Sequence, residues 1–398
     1  MREIVLINVT GNDRPQSTTA IISAIAGAGG SLLDLNQAVV HGALALSLLV
    51  QLAEAQHAEA LRKDVLFQAD QLGLQVHFSA FSEADYSQWL ARRSGPRQII
   101  TLMGRQLSAV AVQRVVDLGQ QAGLQVESIK PLSAPVLAPS VASKACVELA
   151  LRGVASDEAT LRGALLALAD ELSVDIALQT DTVHRCNRRL AVFDMDSTLI
   201  EAEVIDELAK AHGIGERVSE ITERAMRGEL DFKASFRERL ALLKGLDVSV
   251  LDSIGQQLRL TEGAEVLFAE LKRLGYKTAI LSGGFTYFAK QLQAKLGIDY
   301  VFANELQVLG GQCTGVAVEP IVDAQRKADL LQQLAAEHGL SLEQTVAVGD
   351  GANDLPMLAL AGLGVAFRAK PLVRQSAQQA ISTLGLDGVL YLLGQVDR

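Results

Sequence analysis

The stretch Leu190-Ala191-Val192-Phe193-Asp194-Met195-Asp196-Ser197-Thr198-Leu199 decides how this chain folds. Four apolar residues run without a break into two carboxylates spaced i and i+2, with Ser and Thr directly behind them. A short apolar run with polar bounds reads as a strand buried on both faces, as in the parallel sheet of an α/β protein. Ligands of such sheets gather outside the carboxyl ends of the strands, so Asp194 and Asp196 fall where chemistry is done. A buried strand gains no stability from two acids.

The pairing has a chemical use. A carboxylate attacks phosphorus to form an aspartyl-phosphate when a metal ion neutralises the charge between it and the incoming oxygens. A second acid two residues on can protonate the leaving alcohol and then deprotonate the hydrolytic water. Asp194 fits the first role and Asp196 the second. An isolated Asp-x-Asp is more often a solvated loop, so the reading depends on the rest of the chain.

Three further stretches follow in order: Leu281-Ser282-Gly283-Gly284-Phe285, Lys327, and Val348-Gly349-Asp350-Gly351-Ala352-Asn353-Asp354. Each is weak alone, since Ser-Gly-Gly is a common turn and most helical lysines are solvated. Together with Asp194 to Thr198 they resemble the four ordered motifs of the haloacid dehalogenase superfamily. Their spacing is similar to that of its phosphoserine phosphatase family, over roughly the last half of the chain.

The resemblance implies a Rossmann-like parallel sheet at 186–398, with a small helical cap at about 201–259 inserted after the nucleophile. It implies Mg²⁺ held by Asp194, the backbone carbonyl of Asp196 and Asp350, a hard-ion oxygen set. Ser282 and Gly283 would hold phosphoryl oxygens at a helix start. Lys327 would pair with the nucleophile and phosphoryl group, Asn353 would reach the substrate, and Asp354 would orient Lys327 or a water on the metal. In the cap, Glu203 and Arg239 match positions that grip an α-ammonium and an α-carboxylate, with Arg237 competing for the second role. Met226 and Phe232 match apolar residues lining that pocket. The implied activity is Mg²⁺-dependent hydrolysis of O-phospho-L-serine to L-serine, the last step of L-serine biosynthesis. The alternative is a related phosphatase or phosphotransferase acting on another small phosphomonoester.

At 398 residues the chain exceeds one core, so two or three domains are expected. Glu3 to Phe81 reads as β-α-β-β-α-β, the ferredoxin-like order, with a hairpin at His41-Gly42. The pattern recurs from Ile99 to Gln179, with a proline-rich loop at Pro131 to Pro139. A polar link, Ser82 to Gly95, separates the copies and holds Trp89, expected to pack on a neighbouring domain or subunit. The two α+β modules, at 1–84 and 96–181, resemble ACT domains, which implies an amino-acid effector site or a dimerisation scaffold, and a homodimer. The first copy carries Asp13-Arg14-Pro15 followed by Gln16 where the family has glycine, and the second keeps only Gly104-Arg105.

Composition narrows the setting. A formal charge of −10 disfavours a nucleic-acid binder. Cys146, Cys186 and Cys313 have no paired spacing and read as reduced, buried hydrophobes. With no secretory signal at the start and no apolar run of about 18 residues, a cytoplasmic protein without membrane contact is expected.

Overall fold

The computed structural model describes residues 3–53, 56–135 and 143–397, apart from the side chains of Gln56 and Met226. The chain divides into two compact units, 1–95 and 96–398. No helix among the described residues is long and apolar enough to cross a membrane.

The first unit runs β1 (Glu3–Asn12), α1 (Ser17–Gly27), β2 (Ser31–Val40), β3 (Ala43–Leu52), α2 (Gln56–Leu72), β4 (Gln75–Phe81) and α3 (Glu83–Arg93). Its antiparallel sheet has the order β2-β3-β1-β4. Val5, Ile7 and Val9 alternate along β1 and bury one face against Ile21, Ile25, Leu61 and Val65 of the two helices. Helix α3 replaces the expected polar link. Ser82 and Asp85 form a capping box that satisfies its first turn, a local signal that polarity alone hides. Trp89 is half-buried on this helix, stacked on Tyr86 at 5.7 Å and under Arg93 at 4.7 Å.

The second unit opens with a second ferredoxin-like module: β5 (Arg97–Gly104), α4 (Ala109–Gln121), β6 (Gln125–Pro131), β7 (Ala145–Arg152), α5 (Glu158–Leu172) and β8 (Asp175–Thr180). Its sheet order, β6-β7-β5-β8, repeats that of the first unit. The expected proline-rich loop lies in part outside the described residues, at 136–139. Unlike β1, strand β5 is buried along both faces. Ile100 and Leu102 meet the module's own helices, whereas Met103, with Cys146 and Ala177, joins the core of the domain that follows. Gln379 seals the junction, accepting from the Leu178 N–H at 3.0 Å and donating to the Leu178 carbonyl at 2.7 Å.

That domain begins with β9 (Leu190–Phe193) and continues through the cap helices α6 (Val204–Ala211), α7 (Gly215–Met226), α8 (Phe232–Leu242) and α9 (Ser249–Gln257). Then come α10 (Ala264–Arg273), β10 (Lys277–Phe285), α11 (Thr286–Leu296), β11 (Tyr300–Asn304), a hairpin of β12 (Leu306–Leu309) and β13 (Gln312–Ala317), and α12 (Ala324–Glu337). The chain closes with β14 (Thr345–Gly349), α13 (Leu355–Leu360), β15 (Leu363–Phe367), α14 (Pro371–Ser376), β16 (Gln379–Ile381) and α15 (Val389–Leu392). The six-stranded sheet has the order β11-β10-β9-β14-β15-β16, and all its pairings are parallel. Strand β9 lies between β10 and β14, so the ends of these three strands share one edge of the sheet. The β12-β13 hairpin, unforeseen from sequence, packs on α8 of the cap.

One cysteine departs from expectation. Cys146 and Cys313 are buried, but Cys186 is exposed because it lies in the irregular connection between β8 and β9 rather than on a core-facing element. The strand interior tolerates no loss. Phe193 is fully buried with its ring 4.8 Å from that of Phe268, so Phe193→Ala is expected to cost about 3–5 kcal/mol, read from the shift in urea midpoint.

Candidate active site

Three strand ends and one helix build the site. Asp194 follows β9 directly and is nearly inaccessible, as expected for a side chain leaving a strand buried on both sides. Its Oδ1 accepts from the Met195 N–H at 2.7 Å and from Lys327 Nζ at 2.9 Å. Lys327 reaches it from α12. Asp323 caps that helix by accepting from the Arg326 N–H at 2.8 Å, which fixes the first turn and the angle at which Lys327 leaves it.

Lys327 is fully buried and donates also to Asp354 Oδ1 at 2.7 Å. Burial pulls its ammonium towards neutrality, but the charges of Asp194 and Asp354 outweigh this and hold it protonated. Asp354 is buried as well, its Oδ2 accepting from the Gly351 N–H at 3.0 Å. Burial beside Asp194 pushes its carboxyl up to about 6 against the opposing pull of Lys327.

Asp350 completes an acidic cluster in which oxygens of Asp194, Asp350 and Asp354 all lie within 4.8 Å of one another. Both oxygens of Asp354 are committed to Lys327 and Gly351, whereas Asp194 and Asp350 each keep one oxygen with no hydrogen-bond partner among the described residues. Two uncommitted carboxylate oxygens are the donors a hard divalent cation takes. The side chains of Asp194 and Asp350 therefore fit such a cation, and Asp354 serves Lys327 instead. Burial and the charge of Asp194 push the Asp350 carboxyl up to about 7, a penalty that a cation would offset.

Asp196 is half-buried, but its Oδ1 is enclosed and has no hydrogen-bond partner among the described residues. Burial first, then the charges of Glu203 and Asp194, push this carboxyl well above the usual range. Its Oδ2 lies 2.8 Å from where a Cβ on Gly284 would stand, so the Ser-Gly-Gly turn and the second acid face each other. Ser282 is buried and accepts from the Gly284 N–H at 2.9 Å. Gly283 lies close under the cap, since a Cβ there would come within 2.8 Å of the Phe232 ring. Phe232 opens α8, which Asp231 caps at 2.7 Å, so the cap residue expected near the substrate sits against the turn expected to hold phosphate.

Of the remaining expected residues, Glu203 accepts from Ser197 Oγ at 2.7 Å. Arg239 is half-buried, and its recorded hydrogen bond goes from Nε to the Ser235 carbonyl at 3.4 Å. It has no ion-pair partner among the described residues, though Asp206, Glu203 and Asp196 are near enough to favour its charge against burial. Arg237, its competitor in the sequence, points away and pairs with Glu319 at 2.5 Å. Asn353 is half-buried beside Gly351. The Met226 side chain lies outside the described residues.

Three residues were not singled out from sequence. Thr198 is fully buried and donates to Asp350 Oδ1 at 2.8 Å, tying the first motif to the last. Ser197 sits at φ 55°, a left-handed conformation that costs a non-glycine residue and that lets the chain turn sharply behind the acids. Asn304, at the end of β11, donates to the Gly283 carbonyl at 2.8 Å and accepts from the Val322 N–H at 2.8 Å, holding the turn in place. The first two lay inside the quoted motif; nothing in the sequence marked Asn304.

Two acids on a central strand end, a buried lysine between carboxylates and a helical insertion over the site define a class. The family described as haloacid dehalogenase-like hydrolase matches residues 191–359, and that described as ACT domain matches residues 3–79. A phosphoserine phosphatase of Streptomyces coelicolor is 41% identical over 98% of this chain and 92% of its own length. One from Mycobacterium tuberculosis is 39% identical over 98% of this chain and 93% of its own. Among solved structures, a HAD family hydrolase from Salmonella enterica serovar Typhi superposes with a TM-score of 0.64 at 30% identity, covering 74% of this chain and 98% of that one. A probable phosphoserine phosphatase from Vibrio cholerae does so with a TM-score of 0.61 at 35% identity, covering 76% and 87%. The chain belongs to the phosphoserine phosphatase family of haloacid dehalogenase-like hydrolases, with an ACT domain at its N-terminal end.

Lys327→Met leaves Asp194 and Asp354 facing each other with no cation between them. Stability measured by denaturant in EDTA is expected to fall by about 3–5 kcal/mol.

Proposed function

We propose that this protein hydrolyses O-phospho-L-serine to L-serine and phosphate through an aspartyl-phosphate on Asp194. The observation that carries the substrate is Arg239, a half-buried guanidinium without an ion-pair partner among the described residues, near Glu203 and Asp196. A fork of donors beside a carboxylate matches the zwitterionic end of an amino acid, with the α-carboxylate on Arg239 and the α-ammonium on Glu203.

The chemistry follows from the residues. A carboxylate oxygen of Asp194 bonds to phosphorus while the bond from phosphorus to the serine oxygen breaks. Asp196, whose surroundings favour its protonated form, gives its proton to that oxygen. Asp196 then takes a proton from water as the water attacks phosphorus, which frees phosphate and restores Asp194. Lys327, Ser282 and the Gly283 backbone offset charge on the phosphoryl oxygens, and Asn353 reaches the substrate. Asp194, Asp350 and the Asp196 carbonyl would hold Mg²⁺, which when bound would neutralise charge at the phosphoryl group. Phe232 lines the pocket under the cap, which excludes water while the intermediate exists.

We read the chain as two ACT-like modules, at 1–84 and 96–181, before a catalytic domain at 186–398, working as a cytoplasmic homodimer. The ACT match at 3–79 supports an amino-acid effector there, and Gln16 at φ 78°, where glycine would be unstrained, weighs against a close ligand approach at that turn.

The test is phosphate release from O-phospho-L-serine, phosphothreonine, phosphohomoserine and an aryl phosphate. Phosphoserine is expected to be preferred, with turnover lost in Asp194→Asn. In Arg239→Ala, kcat/KM is expected to fall by about 30-fold or more for phosphoserine, with little change for the aryl phosphate. Equal rates on all four substrates would overturn the assignment. Mg²⁺ at about 100 times its Kd is expected to add about 2.7 kcal/mol to stability over EDTA. Asp350→Asn should reduce that gain, as read from thermal unfolding.

A further inference from the structure

The cap joins the catalytic domain through two linkers that pair with each other. The Glu201 N–H donates to the Arg259 carbonyl at 3.0 Å and the Thr261 N–H to the Leu199 carbonyl at 3.0 Å, a short two-stranded ribbon directly behind the nucleophile loop. Any movement of the cap passes through this ribbon. Its continuation, Glu262-Gly263, is gripped from outside the catalytic domain.

Arg105, in the loop after β5 of the second module, binds Glu262 with both arms of its guanidinium, Nη1 to Oε1 at 2.8 Å and Nη2 to Oε2 at 2.6 Å. Arg368 donates to the same Oε2 at 3.1 Å, and its Nη1 lies 4.0 Å from Glu201 on the other linker. Arg368 itself sits at φ 45°, in the left-handed region. A second cation of the same module, Lys144, donates to Asp387 Oδ2 at 2.7 Å. The other oxygen of Asp387 stands 2.3 Å from where a Cβ on Gly263 would be, and Gly263 has φ 81°. Only glycine can bring the linker against that anchored carboxylate.

We propose that Arg105 is a positioning residue for catalysis: its bidentate pair with Glu262 sets the cap linker, and so couples the second module to cap closure over the site. The proposal rests on the phosphatase reading for its kinetic part only. Arg105 occupies the loop after the first strand of its module, where the first module carries Asp13-Arg14-Pro15. In the second copy that loop is spent on the linker. Arg105, Glu262 and Arg368 are all partly exposed, and ion pairs of that kind contribute little to stability. What a bidentate pair supplies is geometry.

The test uses the full chain with Arg105→Ala, Glu262→Gln, the double variant and Arg105→Lys, and Arg114→Ala as control. Arg114 pairs with Glu171 inside the same module and touches neither linker. Hydrogen exchange in peptides covering 199–203 and 259–263 is expected to quicken severalfold in both single variants and not in the control. KM for O-phospho-L-serine should rise about threefold to tenfold, with kcat changed less. The double variant should be no worse than the weaker single, and Arg105→Lys should fall between wild type and Arg105→Ala. Unchanged exchange in both single variants, or additive effects in the double, would overturn the coupling. If the wild type proves inactive on phosphoserine, the functional reading fails, while the exchange rates still decide for or against the linker.

Discussion

The structure turns on one buried cation. Lys327 has no solvent contact and is held between Asp194 and Asp354, each within 3 Å of its ammonium. A lone ammonium in that position would give up its proton; the two carboxylates beside it hold it charged against burial. The arrangement needs α12 capped at Asp323, β9 leading into Asp194 and the glycine turn after β14 presenting Asp354, so three separate elements are in register only when the sheet is complete. The geometry of the acidic centre and the fold are thus one constraint.

Around that centre burial raises the proton affinity of Asp354, Asp350 and Asp196, and the charge of Asp194 adds to it. What opposes the rise differs: Lys327 for Asp354 and Asp196, the Thr198 hydroxyl for Asp350. In the proposed reaction, an acid at Asp196 that favours its proton is what a proton donor requires. Thr198 and Asn304 take no part in that chemistry, but they tie the motif loops to each other.

The second ferredoxin-like module is part of the catalytic unit rather than a neighbour on a tether. Its sheet has apolar side chains on both faces, one for its own helices and one for the domain that follows, and polar side chains seal the edge. A continuous core transmits position, and the ion pairs at Glu262 and Asp387 lie at its rim, beside the cap linkers.

Much of this was legible in the chain. The β-α-β-β-α-β order came through twice within a residue or two, because alternation and glycine stops are local. The parallel core came through because Leu190 to Phe193 and Val346 to Val348 are apolar on both faces, and the acids drew notice because they follow such runs, whereas Lys327, on a helix, was marked only by the resemblance. Helix α3 was missed because its signal is a capping box rather than a stripe, and the exposure of Cys186 because an irregular connection has no period to read. Sequence left Arg237 and Arg239 as rivals two positions apart, and only the packing of α8 sent one to Glu319 and left the other half-buried with no ion-pair partner among the described residues. Nor could it join Arg105 to Glu262, 157 positions away. Local chemistry is written in neighbouring residues, whereas a pairing between distant side chains exists only once two cores have merged.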